Sequence, residues 1–176
     1  MNSLFNVRFF GSALVTLFVI MDPPGVVPIF LALAGSKSKA IRAKLALQAT
    51  AVSFSVIVAF ALLGEQVLRY LKISMPALQG AGGLLLLLIA LQLLMGAEQP
   101  QNEGEQGVSL GMVPLGTPLL AGPGAIVATL IYARQADSTA KWISLGVAVV
   151  AIHVVIYFAM RFSGVIAKIA GKGGIS

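Results

Sequence analysis

The sequence predicts an all-α fold, a polytopic transmembrane helical bundle built from an inverted repeat of three spans. Three observations lead there. Hydrophobic residues make up 58% of the 176-residue chain and charged residues only 10%, with a mean hydropathy of +0.96. A soluble domain carries about 45–50% and about 25%. Five apolar runs are long enough for the roughly 20 helical residues that cross about 30 Å of hydrocarbon. Two of the five are interrupted by Pro/Gly motifs, and the order broken span, loop, clean span occurs twice.

The first run covers residues 9–34 and is broken by Asp22-Pro23-Pro24-Gly25. The second, 45–63, has no charge, and the third, 73–96, contains the leucines from Leu84 to Leu88. The fourth, 108–133, is interrupted by Pro114, Gly116, Pro118 and Gly122-Pro123-Gly124, and the fifth is 143–160. None alternates as a membrane barrel strand does. Arg8 precedes an apolar stretch, but no small-residue cleavage site follows before Pro23, so a cleavable signal peptide is excluded.

The loops hold the charges. Segment 35–44 carries Lys37, Lys39, Arg42 and Lys44 and no acid. Segment 64–72 carries Glu65, Arg69 and Lys72, with 65–71 reading as a short interfacial turn and Glu65–Arg69 as a solvated i,i+4 pair. Segment 97–106, with Glu98, Glu103, Glu105 and Pro100, reads as an exposed loop, and 134–141 leads to Trp142, a headgroup-level anchor. One side of the bilayer then holds Arg8, Arg69, Lys72, Arg134 and Lys141. The other holds Lys37, Lys39, Arg42, Lys44, Arg161, Lys168 and Lys172. The earliest dense cluster usually dominates orientation, which places the 35–44 loop in the cytoplasm and the N-terminus outside.

Composition also limits chemistry. The chain has no Cys, one His and six acids, so disulfides, thiolate metal sites and most acid–base catalysis are excluded, and no enzyme, cofactor or metal is expected. The +6 charge and pI near 10 come without a dense basic stripe, which argues against nucleic acid as a partner. Basic loops facing anionic lipid headgroups account for them.

The two breaks align at an offset of 99 residues, Gly25 on Gly124, and the same offset sets Arg42 on Lys141. A three-span unit is odd, so its second copy must be inverted, as in many secondary transporters. The chain is then a single membrane domain over 1–176, with repeats at 9–96 and 108–176. The partner of the third span should begin near residue 172, so the second repeat reads as incomplete and the chain as truncated.

At the first break, Pro23 and Pro24 remove two donors and orphan the carbonyls of Val19 and Ile20. Such backbone is tolerated in hydrocarbon only where it is buried or lines a cavity. Half-helices 9–21 and 26–34 result, with Pro28 in the first turn of the second and free N–H groups near Val26 and Val27 to meet an anion. The second break offers the same at Ala125 and Ile126. The expected midplane site comprises Asp22, Pro23, Gly25, Val26, Thr117, Gly122, Gly124 and Ala125. The plainer reading is two packed proline kinks. Asp22, inside a span, either binds a coupling ion, proton or amine, or caps the second half-helix. Thr117 lines the cavity or bonds its own helix. Gln92 reads as a cross-helix bond, Gln79 flanks the third span, and Gly80, Gly82 and Gly83 read as close packing. His153 reads as a packed, hydrogen-bonded neutral side chain rather than a proton relay.

Met21-Asp22-Pro23-Pro24-Gly25-Val26-Val27-Pro28-Ile29-Phe30 and Leu115-Gly116-Thr117-Pro118-Leu119-Leu120-Ala121-Gly122-Pro123-Gly124-Ala125-Ile126 resemble the two signatures of the MarC family. The segment 83–96 resembles that family's third span. The resemblance covers essentially the whole chain. It implies a multi-pass inner-membrane protein of bacteria or archaea, grouped with the LysE-type exporter superfamily, with transport of small neutral amino acids such as alanine and glycine. The chain departs from the family at its C-terminus, where the family's last span is absent. With no nucleotide-binding loop, a transporter would draw on a proton or sodium gradient. The alternative is a non-transporting membrane scaffold or assembly subunit whose breaks serve packing. Either could form a homo-oligomer.

Overall fold

The computed structural model describes residues 4–94 and 120–165. Every long element among them is helical: α1 Val7–Met21, α2 Pro23–Ala34, α3 Lys39–Tyr70, α4 Met75–Leu94, α5 Pro123–Gln135 and α6 Thr139–Arg161. By length and composition, three stretches of the described residues can cross a membrane: Val7–Ala34, Lys39–Tyr70 and Thr139–Arg161. The 20-residue α4 stands where the third span is expected, and α5 is the second half of the fourth.

Short polar side chains start these helices. Asn6, Ser38 and Ser138 are N-caps whose side chains accept from the amides of Phe9, Ile41 and Lys141. The 32-residue α3 extends the expected 45–63 span at both ends and absorbs the segment read as a separate interfacial turn. No proline interrupts it. Gly64 is a glycine within it because Leu130 of α5 occupies the space a Cβ would need. At 1.5 Å per residue α3 is about 48 Å long, more than the roughly 30 Å hydrocarbon layer. Its charged ends therefore reach past the layer.

The helices pack as α1 on α6, α3 on α6 and α5, α2 on α6, and α4 on α5. Helices α3 and α6 are antiparallel. Arg42, near the start of α3, lies against Gly164, just past the end of α6, while Ser53 meets His153 at mid-length. Helices α1 and α6 begin together, since the Asn6 amide donates to Ser144 Oγ at 2.9 Å. Thus Arg8, Arg69, Arg134 and Lys141 gather at one end, and Lys39, Arg42, Lys44 and Arg161 at the other, as the loop charges required. The two ion pairs among the described residues, Arg69–Glu65 at 2.6 Å and Lys141–Asp137 at 2.9 Å, both lie at the first end. Lys141 also holds the Asp137 carboxyl below the ordinary carboxylate range through that hydrogen bond.

One buried apolar cluster joins Leu17, Met21, Val26 and Phe30 to Leu120, Ala125, Ile152 and Ile156. Large apolar side chains also face outward, including Val15, Val19, Leu47, Val150 and Val154. A soluble surface would not carry them at this density; a lipid-facing one does.

The α3–α6 crossing is polar at its centre. His153 Nδ1 donates to the Val149 carbonyl at 2.7 Å, which leaves Nε2 to accept from Ser53 Oγ at 3.1 Å. Phe54 packs edge-on against the ring, with centroids 5.3 Å apart. The packed, hydrogen-bonded reading of His153 describes this geometry. Ser53→Ala should cost about 1–3 kcal/mol by leaving Nε2 unpaired, whereas Ser53→Ala with His153→Phe should recover most of the loss. Thermal unfolding of the two variants in one detergent checks this.

Candidate functional site

The first break is tighter than the sequence implied. Only Asp22 separates α1 from α2, in left-handed geometry at φ 42° and ψ 67°. Aspartate is among the few side chains that adopt that region readily. The Asp22 amide donates to the Phe18 carbonyl at 3.0 Å, finishing α1. Its Oδ1 accepts from the Gly25 amide at 3.1 Å, and its carbonyl accepts from the Val26 amide at 3.1 Å, starting α2. The capping reading of Asp22 is the observed one. A Cβ on Gly25 would collide with this carboxylate, which explains the glycine.

This geometry corrects two expectations. Helix α2 begins at Pro23 rather than Val26, so Pro28 lies inside the helix and not in its first turn. Val26 also offers no free donor. Pro23 and Pro24 have no N–H, and the next two amides are both spent on Asp22. The α2 N-terminus is closed to an anion. What remains open at this break is acceptors. The helical partners of the Val19 and Ile20 carbonyls would be the amides of residues 23 and 24, both prolines.

The second break has the opposite character. Gly122 is the N-cap of α5 at φ −62° and ψ 163°, and no side chain caps it. Pro123 has no N–H, and Ile126 donates to the Gly122 carbonyl at 3.1 Å. The amides of Gly124 and Ala125 therefore have no side-chain acceptor among the described residues, at the positive end of the α5 dipole, and both residues are buried.

A groove of 340 Å³ ties the breaks together. Thr16 and Ile20 line it from α1, and Gln79, Gly82 and Gly83 from α4. Helix α5 forms its floor with a stripe from Gly124 through Ala128 and Tyr132 to Gln135. Thr16 Oγ1 and Tyr132 Oη are hydrogen-bonded at 2.9 Å across it. Gly82 lets α4 approach Val127, since a Cβ there would lie 3.0 Å from its Cγ2. Close packing holds for Gly82; a Cβ on Gly80 or Gly83 would meet nothing within 4 Å.

Of the expected site residues that are described, only Gly124 lines the groove. Asp22 is exposed on the bundle, Pro23 and Val26 are buried in the core, and Gly25, Gly122 and Ala125 shape the helix starts. Thr117 lies outside the described residues, as does the Gln92 side chain. Thr16 on α1 and Tyr132 and Gln135 on α5 line the groove without having been expected there. On α5 the positions 124, 128, 131, 132 and 135 fall on one face at helical spacing, but that face is as largely apolar as one that meets lipid.

Apolar outward faces, three span-length helices and a cavity fed by two interrupted spans define a multi-pass integral membrane protein. The model of the MarC family integral membrane proteins matches residues 7–176. A UPF0056 membrane protein of Archaeoglobus fulgidus is 30% identical over 172 residues, covering 94% of this chain and 81% of its own. The UPF0056 inner membrane protein MarC of Escherichia coli O1:K1 is 30% identical over 182 residues, covering 94% and 82%. The Escherichia coli K12 UPF0056 membrane protein YhcE is 28% identical, covering 99% and 85%. No solved structure matches. The chain belongs to the MarC family.

Asp22→Ala should lower stability by about 1 kcal/mol, while Asp22→Asn keeps the cap and most of the stability. Gly25→Ala should destabilise the native chain but cost far less when Asp22 is already Ala, because the collision is with the Asp22 carboxylate. Thermal unfolding of the four variants measures this coupling.

Proposed function

We propose that this protein is a secondary transporter of small neutral amino acids in the inner membrane, and that the groove holds the substrate. One observation carries the reading. Ile20, whose carbonyl lacks its helical donor, and Gly124, whose amide at a helix N-terminus meets no side-chain acceptor among the described residues, line the same groove. The negative end of α1 and the positive end of α5 thus border one space. A zwitterion fits such a space, with its carboxylate at Gly124 and Ala125 and its ammonium at the Val19 and Ile20 carbonyls. The same acceptor-rich turn, with the Asp22 carboxylate beside it, suits a coupling proton or sodium ion.

The inverted-repeat reading has support of the same kind. Pro23 and Pro123 each open a half-helix, and Ser38 and Ser138 each cap a long one, at an offset of 100 residues rather than the 99 that aligns Gly25 with Gly124. Helix α2 packs on α6 as α5 packs on α3. Ser53 and His153, also 100 apart, touch where the antiparallel α3 and α6 cross. Contact between equivalent residues is what a two-fold axis through that crossing would produce.

Proteoliposomes loaded with alanine should show counterflow of labelled alanine, and Gly124→Leu, which fills the donor end, should abolish it. Glycine should compete. Ethylamine and propionate, each carrying half of the zwitterion, should compete at least about tenfold less well, equivalent to about 1.4 kcal/mol. Absence of counterflow in the native protein, or equal competition by the half-molecules, would count against the reading.

A further inference from the structure

The groove follows α5 from its buried start to its exposed end. Gly124 and Gln135 are eleven residues apart on one face, which is about 16 Å at 1.5 Å per residue, or roughly half the hydrocarbon layer. The Gln135 end lies where α1 and α6 begin, beside Phe9 and Lys141, since Tyr132 stacks edge-on against Phe9 at 5.5 Å. Helix α4 enters from the same end, because it follows the C-terminal end of α3, where Gly64 meets Leu130. Polar side chains cluster toward this mouth: Gln79, Gln135 and the Thr16–Tyr132 pair. Farther in, the walls are Gly82, Gly83, Val127 and Ala128. Past the inner lining residues Gly124 and Ile20 the chain enters the core at Ala121 and Met21, both buried.

We propose that this groove is a water-filled half-channel, entered at Gln135 from the face that bears Arg134 and Lys141 and closed at the level of Gly124. The amide side chains of Gln79 and Gln135 make no hydrogen bond among the described residues, and both are exposed. Filled by an acyl chain, the groove would strand these amides against hydrocarbon, at a cost of several kcal/mol for each unsatisfied polar group. Filled by water, it leaves them solvated. The inference deepens the transport reading, because the half-channel leads to the same site. Its test reads water rather than substrate, so the two ideas can fail separately.

The chain has no native Cys, so single-Cys variants of the full protein need no prior substitution. The reactive thiolate forms in contact with water and not in an apolar surround. Gly83→Cys and Ile131→Cys test the groove, and Gln135→Cys marks its mouth. Val150→Cys and Val154→Cys are controls, eleven and fifteen residues into α6 and facing outward. Each is reconstituted in both vesicle orientations and exposed to a charged, impermeant methanethiosulfonate. Gly83→Cys and Ile131→Cys should be modified only from the face that modifies Gln135→Cys, at least about tenfold faster than either control. Labelling at Gln135→Cys alone would mean a lipid-filled groove and overturn the proposal. Labelling of the groove positions from both faces would overturn its closure. If Gly83→Cys does not elute as a folded species, Ile131→Cys decides, since its position is only half-buried.

Discussion

Hydrocarbon offers a backbone amide or carbonyl no partner, and the rest of this structure depends on how that constraint is met at two helix breaks. At the first, one residue does nearly everything. Asp22 ends α1 with its amide, opens α2 with its carbonyl and side chain, and makes the turn in left-handed geometry. The prolines that follow carry no N–H, so only the Gly25 and Val26 amides need a partner, and Asp22 accepts from both. A charged residue inside a span is therefore explained first by the local accounts of the backbone. Its remaining exposure makes it available to a cation, but nothing about the turn requires one.

The second break is built from glycine and proline without an acid, and no side chain among the described residues caps its donors. The difference matters because both breaks border the same groove. A pair of identical, self-capped turns would leave no net polarity in the space between them. Here the α1 end contributes acceptors and the α5 end donors, so the cavity is polarised by main chain alone. That arrangement needs no buried charge, which fits a chain with three described acids, two of them paired at a membrane face.

Much of this was legible in the sequence. Proline pairs inside an apolar run locate a break without a structure, because the missing donors are a covalent fact. Span positions and the sorting of cations between the two ends follow from equally local rules. The site was legible only in part. Val26 seemed a free donor because counting orphaned amides ignores that a preceding carbonyl and side chain can take two of them. Pro23 and Val26 seemed to line a cavity, yet they face the core because α2 packs on α6, a contact no local pattern specifies. Gly83 read as a packing glycine; distinguishing it from Gly82 required knowing that Val127 stands beside one and not the other. Tyr132 and Gln135 were hidden in a helix with little amphipathic contrast, since a face that lines a groove and a face that meets lipid are both largely apolar.

The position of His153 bears on how the bundle is held together. Its ring is tied at both nitrogens, to Val149 on its own helix and to Ser53 on the facing one, with Phe54 against its face. The bond to Ser53 is a hydroxyl–imidazole contact across two antiparallel helices that run nearly their full length together. Small residues permit the close approach of the two helices: Ala46, Ala49 and Ala148 are buried along them. A polar pin at mid-membrane is costly to break, because each partner would be stranded in hydrocarbon. The groove is bounded by α1, α4 and α5, and α1 packs on α6 while α5 packs on α3, so two of its walls are anchored to the pinned pair.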